Sequence, residues 1–282
     1  MEKAKILAIL ILSQIFIYDS SLVIAQNDLP YFLKDRGTGI ATSMFGTYIN
    51  EGDFIFYPYY EHYHDEDAEY KPAELGYTLN QDFRGRYRAH EGLIFLGYGI
   101  TEQLAVEFEA AIISATQYKS NDDPSDMPDK LKESGLGDVE AQIRWRWNQE
   151  DEKTPEIFNY FESVFPTGKK NSLIGTSDWE LVLGTGVIKG FNWGTMTFRL
   201  AAEYVAEEDA LEFGEFAIEY LKRVSKNFRF FLAIEGSGDE IEFITDLQFH
   251  IIQNAFVRIN NAFGITSKAT DYAPEVGILF YF

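Results

Sequence analysis

Polar and apolar residues change places at every step of "GDVEAQIRWRWN", Gly137 to Asn148. Asp138, Glu140, Gln142, Arg144, Arg146 and Asn148 fall on one side, and Val139, Ala141, Ile143, Trp145 and Trp147 on the other. Successive side chains of a strand point to opposite faces, so this spacing predicts a strand with one polar and one apolar surface. The same period returns in "QLAVEFEAAI", "TMTFRLAAEY", "NFRFFLAIE", "EIEFITDLQFH" and the closing "PEVGILFYF". Weaker versions occupy 53–63, 82–98, 157–165, 178–188, 213–222 and 254–264, which brings the expectation to about twelve strands. The stretch 82–98 is the least regular: it begins "RGRYR" and ends "LIFLGYG", losing its polar face partway.

The connections alternate too. A long acidic loop is expected over 64–80, a tight turn near Ile100-Thr101, and a long polar loop from Lys119 to Gly135. A long side, a short side and an even strand count describe an all-β, transmembrane, antiparallel up-and-down barrel over residues 51–282. Both termini are then periplasmic, in a bacterial outer membrane. Residues 26–50 form a periplasmic N-terminal segment and a candidate plug. Residues 1–25, with Lys3 and Lys5, the apolar run Ile6–Ile17 and the small-residue ending Val23–Ala25, read as a signal peptide.

Periodicity alone fits a soluble lipocalin-like barrel with its apolar face inward. Three features favour the inverted version. Arg and Glu mix at mid-strand on the polar faces. Phe, Trp and Tyr crowd the apolar faces, as in lipid-facing girdles. The chain ends on Phe282, with Phe280 and Ile278 on the same face, which is similar to the signal read by the outer-membrane assembly machinery.

The lumen-lining residues expected from the inversion are Glu61, Arg84, Arg86, Arg88, Glu107, Glu109, Asp138, Glu140, Arg144, Arg146, Arg199, Glu203, Arg229, Glu242, Asp246, Arg258 and Glu275. Strand directions place Glu107 and Glu109 near Arg144 and Arg146, and Glu61 near Arg84 and Arg86. In one reading these charges line an aqueous path that prefers cations, because acids outnumber bases. In the other they neutralise one another and fill the barrel.

Composition narrows the partners. A net charge of −21 argues against nucleic acid. The absence of cysteine removes disulfides, thiolate metal sites and a thiol nucleophile. Expected partners are outer-membrane lipid, the assembly machinery and a small-molecule solute, with no cofactor.

"YGITEQLAVE" (98–107), "GLGDVEAQIRWRW" (135–147) and "FPTG" (165–168) follow one another in an order and spacing that resembles the meta-pathway phenol-degradation family of outer-membrane transporters. The resemblance implies a barrel of this size, a role in taking up hydrophobic or aromatic compounds, and no catalytic residues. Physically, these motifs read as strand punctuation, with Gly135 and Gly137 expected at backbone angles closed to other residues. A phosphate cradle at "GLGD" or "GTGVIKG" lacks the strand-to-helix context it needs.

"YEHYHDED", Tyr60 to Asp67, has the ingredients of a metal site. Residues two apart share a face, so His62 and His64 fall with Phe54, Phe56 and Tyr60 on the apolar side. The stretch reads as a strand leaving its aromatic girdle for water, and no metal is expected. His90 and His250 read as single polar-face residues. Outer-membrane lipid enzymes use a His-x-Ser pair on a lipid-facing strand, and none of the four histidines has serine two places later. A closed structural or adhesion barrel is the remaining alternative.

Overall fold

The computed structural model describes residues 29–282 apart from 171, 177–178, 207–209 and 253. The expected signal peptide lies outside the described residues. After a 3-10 turn at Tyr31–Leu33, β1 (Ile40–Ala41) and β2 (Tyr48–Ile49) form a small hairpin. Twelve longer strands follow. They are β3 (Phe54–Tyr70), β4 (Phe83–Gly99), β5 (Leu104–Tyr118), β6 (Lys130–Asn148), β7 (Glu156–Phe165) and β8 (Glu180–Phe191). Then come β9 (Gly194–Val205), β10 (Ala210–Ser225), β11 (Phe228–Ser237), β12 (Glu240–Ile252), β13 (Ala255–Gly264) and β14 (Tyr272–Tyr281).

Each of the twelve pairs antiparallel with its sequence neighbours, and β14 pairs with β3 to close the ring. At the seam the Phe54 amide donates to the Phe282 carbonyl at 3.0 Å and the Phe282 amide to the Phe54 carbonyl at 2.9 Å. Closure leaves no unpaired strand edge, the condition a sheet must meet inside a bilayer.

The surfaces are inverted relative to a water-soluble barrel. Phe108, Ile143, Leu183, Phe198, Ile218 and Val276 are exposed on the outside, whereas Arg144, Arg258 and Asp246 are almost fully buried within. Apolar groups outside and charges inside are stable together only when hydrocarbon surrounds the wall. This is an outer-membrane β-barrel.

Two features depart from the expectations above. The acidic run 64–70 and the polar run 130–136 are not loops: they continue β3 and β6, which reach 17 and 19 residues. Their polarity marks strand standing clear of the membrane, where cross-strand charges of opposite sign, such as Glu69 beside Arg84, support the pairing. Gly135 and Gly137 are also not at special angles, since neither has a positive φ. They provide space instead. A Cβ on Gly137 would meet the Ile113 side chain at 2.7 Å, and one on Gly135 would meet Ile174 at 3.2 Å. Gly184 and Gly186 serve the same purpose, because the rings of their cross-strand partners Tyr160 and Phe158 lie flat over them.

Residues 30–50 run inside the lower, periplasmic half of the lumen. Ile40 and Ile49 pack with Ile55, Tyr57, Leu93 and Phe95 of the wall. Ala41 and Tyr48 pack with Phe158, Tyr160, Ile188 and Phe231, and Phe45 stacks on Phe231 at 5.4 Å. The lower lumen therefore holds an apolar core, built between the wall and the chain that precedes it.

Candidate functional site

Charged wall residues make many of the polar contacts of this inner chain. Arg144 donates to the Ala41 carbonyl at 3.2 Å and Arg146 to the Thr38 carbonyl at 2.8 Å. Glu107 accepts from the Ser43 amide at 2.9 Å and from its hydroxyl, and lies 3.3 Å from Arg144. Arg36 bridges Glu150 and Glu156 at 3.0 Å each, and Arg146 reaches Glu156 at 3.3 Å. Asp35 accepts from the Arg223 amide at 2.8 Å. Deeper in the wall, Arg258 grips Asp246 at 2.8 Å, Arg199 holds Glu219 and Glu235 at 2.6 and 3.1 Å, and Arg229 lies over the Phe256 ring at 5.3 Å.

Above the tip of the chain, at Met44 and Phe45, the lumen opens into a chamber of about 670 Å³. Its lining includes Glu61, Glu91, Glu109, Asp138, Glu140, Glu180, Glu215, Glu235, Glu242 and Glu275, against one arginine, Arg258. An adjoining space of about 370 Å³ shares Glu109, Glu140 and Glu235 and adds Glu107, Glu162 and Glu203 with Arg144 and Arg199.

The strand register makes this concentration of charge unavoidable. Glu61 stands opposite both Glu91 and Glu275, Glu109 opposite Glu140, and Glu235 opposite Glu242. Residues so paired have Cβ atoms about 5 Å apart, and like charges at that spacing repel. Asp138 differs, because it accepts from the amides of Gly168 (2.6 Å) and Thr176 and so ties the β7–β8 connection inward. Tyr59, Tyr63, Leu93, Ile113 and Ile244 supply an apolar part of the same lining.

Three residues expected in the lumen are elsewhere. On β4 the odd-numbered residues Ala89, Leu93 and Phe95 are buried inward, so Arg84, Arg86 and Arg88 project from the outer face. They meet Asp67 and Glu66 there, and Glu61 is separated from them. The inward acid on this strand is Glu91, which the polar pattern did not single out. The reason lies in the inner chain. Lower β4 faces Ile40 and Ile49, so its inner side is as apolar as its outer side and polarity no longer marks the phase. Arg36, Glu150 and Glu156 were also missed. They sit in the inner chain and at a strand end, where alternation carries no signal.

His62 and His64 point outward: His62 stacks on His90 at 4.4 Å and His64 on Tyr272 at 4.7 Å. His90 shares this outer face and is hydrogen-bonded to the Tyr60 hydroxyl at 2.6 Å. His250 packs against Phe256 at 5.0 Å. Among the described residues no cluster of three or more His, Asp or Glu side chains is arranged to hold a metal ion.

No family model matches the chain, and no curated protein does. Among solved structures the barrel is similar to an outer membrane channel from Pseudomonas putida F1, with a TM-score of 0.61 at 13% identity over 86% of this chain and 100% of that one. The transport unit of the autotransporter AIDA-I from Escherichia coli gives 0.48 at 11% identity, over 93% and 98% of the two chains. The toluene transporter TbuX from Ralstonia pickettii gives 0.44 at 8% identity, over 83% and 89%. The first likeness establishes the shared barrel architecture. The other two are too loose to carry an argument.

Proposed function

We propose that this barrel is a non-catalytic channel that takes up small solutes across the outer membrane, with the acid-lined chamber as its outer docking vestibule. Residues 30–50 are then the plug that closes the periplasmic half. The observation that carries this reading is the set of carboxylate pairs facing one another across neighbouring strands. A pure filler would neutralise all such charges. Here Arg199 reaches Glu235, but Glu61, Glu91, Glu109, Glu140 and Glu242 have no ion pair among the described residues, and a vestibule uses such charges to concentrate positively charged solutes. The tyrosines and aliphatic side chains in the same lining suit a compact apolar or aromatic body. That agrees with the cargo class implied by the motifs resembling the meta-pathway family. Likeness to a known channel supports the reading at the level of the barrel. Phe282, Phe280 and Ile278 are assigned to recognition by the assembly machinery.

The test is conductance in planar bilayers, comparing the full chain with a variant lacking residues 30–50. The full chain is expected to be closed or to flicker, and the shortened one to conduct continuously with a reversal potential on the cation side. Equal, silent traces from two folded barrels would reject the plug. An anion-selective open state would reject the vestibule.

A further inference from the structure

The outward arginines of β4 are unexplained by a channel. They stand in a row with two lysines on the next strands. Arg88 lies opposite Thr116, which in turn lies opposite Lys132. One step higher, the Arg86 guanidinium sits 3.9 Å from the centre of the Tyr118 ring, and Lys130 sits 4.9 Å from it. The chain carries a net charge of −21, so this grouping is not general basicity.

Depth identifies the occupant. Phe54 marks the periplasmic end of the apolar band, and Arg88 pairs with His64, ten residues up the same strand. Ten residues at roughly 3.3 Å each, tilted by about 40°, climb about 25 Å, the height of the hydrocarbon-facing band. Arg88 therefore sits at the outer boundary of the membrane, and Arg86 stands in the headgroup layer. Local acids leave these groups under-neutralised. Glu66 is shared among His64 at 3.0 Å, Arg88 at 3.3 Å and Arg86 at 4.0 Å. The Nε atoms of Arg86 and Arg88 are buried without a hydrogen-bond partner. Lys130 and Lys132 form no ion pair among the described residues.

We propose that Arg86, Arg88, Lys130 and Lys132 form a binding site for the phosphate groups of the outer-leaflet glycolipid. Guanidinium forks match phosphate oxygens at two points, and the lysines add charge at a second position a few ångströms along the wall, as a headgroup with two phosphates requires. Saturated acyl chains of the same lipid would then lie down the apolar wall below. The site rests on the membrane placement of the barrel and is independent of what the lumen carries.

The experiment uses the full chain refolded in detergent and titrated with bis-phosphorylated lipid A, with the same lipid stripped of phosphate, and with inorganic phosphate, read by native mass spectrometry and by the unfolding temperature. Lipid A is expected to bind and to raise the unfolding temperature, while the other two do neither. In the R86Q/R88Q/K132Q variant the affinity for lipid A should fall about fivefold for each charge removed. Folding of each variant is checked by heat-dependent gel mobility. If the triple variant does not fold, R88Q and K132Q singly must each show their share of the loss. K169Q, a change at a loop lysine, should bind as the parent does. Undiminished binding by the variants, equal binding of the stripped lipid, or competition by inorganic phosphate would overturn the proposal, the last by making this a free-anion site.

Discussion

On β12, Asp246 has its arginine at 2.8 Å, while four residues nearer the outer end Glu242 has no ion pair among the described residues and stands opposite another carboxylate, Glu235, on the adjacent strand. Both point into the same lumen, and both belong to the same alternating pattern. The difference is what lies between the walls. At the level of Asp246 the inner chain fills the space and excludes water, so a charge there needs a partner within hydrogen-bond reach. At the level of Glu242 the chamber is open enough to hydrate carboxylates that repel each other. One half of the lumen is built as a protein interior and the other as a solvated surface turned inward.

The sharpest way to break this contrast is to neutralise one acid in each half. Asp246→Asn strands the buried Arg258 and is expected to cost about 3–5 kcal/mol in chemical unfolding. Glu242→Gln relieves repulsion and should leave stability unchanged or slightly raised. If the two variants lose equal stability, the halves are not physically distinct. Next in size is selectivity. In the barrel lacking residues 30–50, Glu109→Gln, Glu140→Gln and Glu235→Gln together should lower the cation-to-anion permeability ratio by about tenfold, measured from reversal potentials.

A smaller effect is expected at the boundary between wall and inner chain. A Cβ at Gly190 would lie 1.9 Å from the Phe32 carbonyl oxygen, so Gly190→Ala must push back the turn at Tyr31–Leu33 while leaving the strand intact. Brief openings in the bilayer recordings, from a barrel of parental heat stability, are the expected result. The smallest change in the folded protein should follow Phe282→Ala, whose ring is half-exposed to lipid and lies 6.1 Å from that of Phe54. Equilibrium stability should fall by about 1 kcal/mol or less. Accumulation in the outer membrane should fall more, if this residue is what the assembly machinery reads.

The twelve strands were legible because each must keep one face in lipid, and a two-residue period survives any sequence that does so. The barrel's hand-over from wall to loop was less legible. "HDEDAEY" is polar on both sides, yet it is strand, because above the membrane neither face needs to be apolar. The phase of β4 failed for the converse reason: Leu93 and Phe95 inside and Ile94 and Leu96 outside look alike when lipid bathes one side and the inner chain the other. Apart from Glu91, the acids of the chamber stood on the polar faces of their strands, but which of them would meet a base depended on register. Glu107 is 3.3 Å from Arg144, while Glu109, two residues on, faces Glu140. A shift of one strand by two residues would set Glu107 opposite Glu140 without altering the pattern.

The ring closes where β3 meets β14, and the chain leading directly into β3 is the one that occupies the lumen. Gly52 donates to the Gly99 carbonyl at 2.8 Å and Tyr281 donates through its hydroxyl to the Tyr48 carbonyl at 3.2 Å, so stopper and zip are stitched to each other. On the reading of residues 30–50 as a plug proposed above, sealing the cylinder and corking it draw on the same hydrogen bonds. Damage to the join would be felt as leakage before it was felt as unfolding.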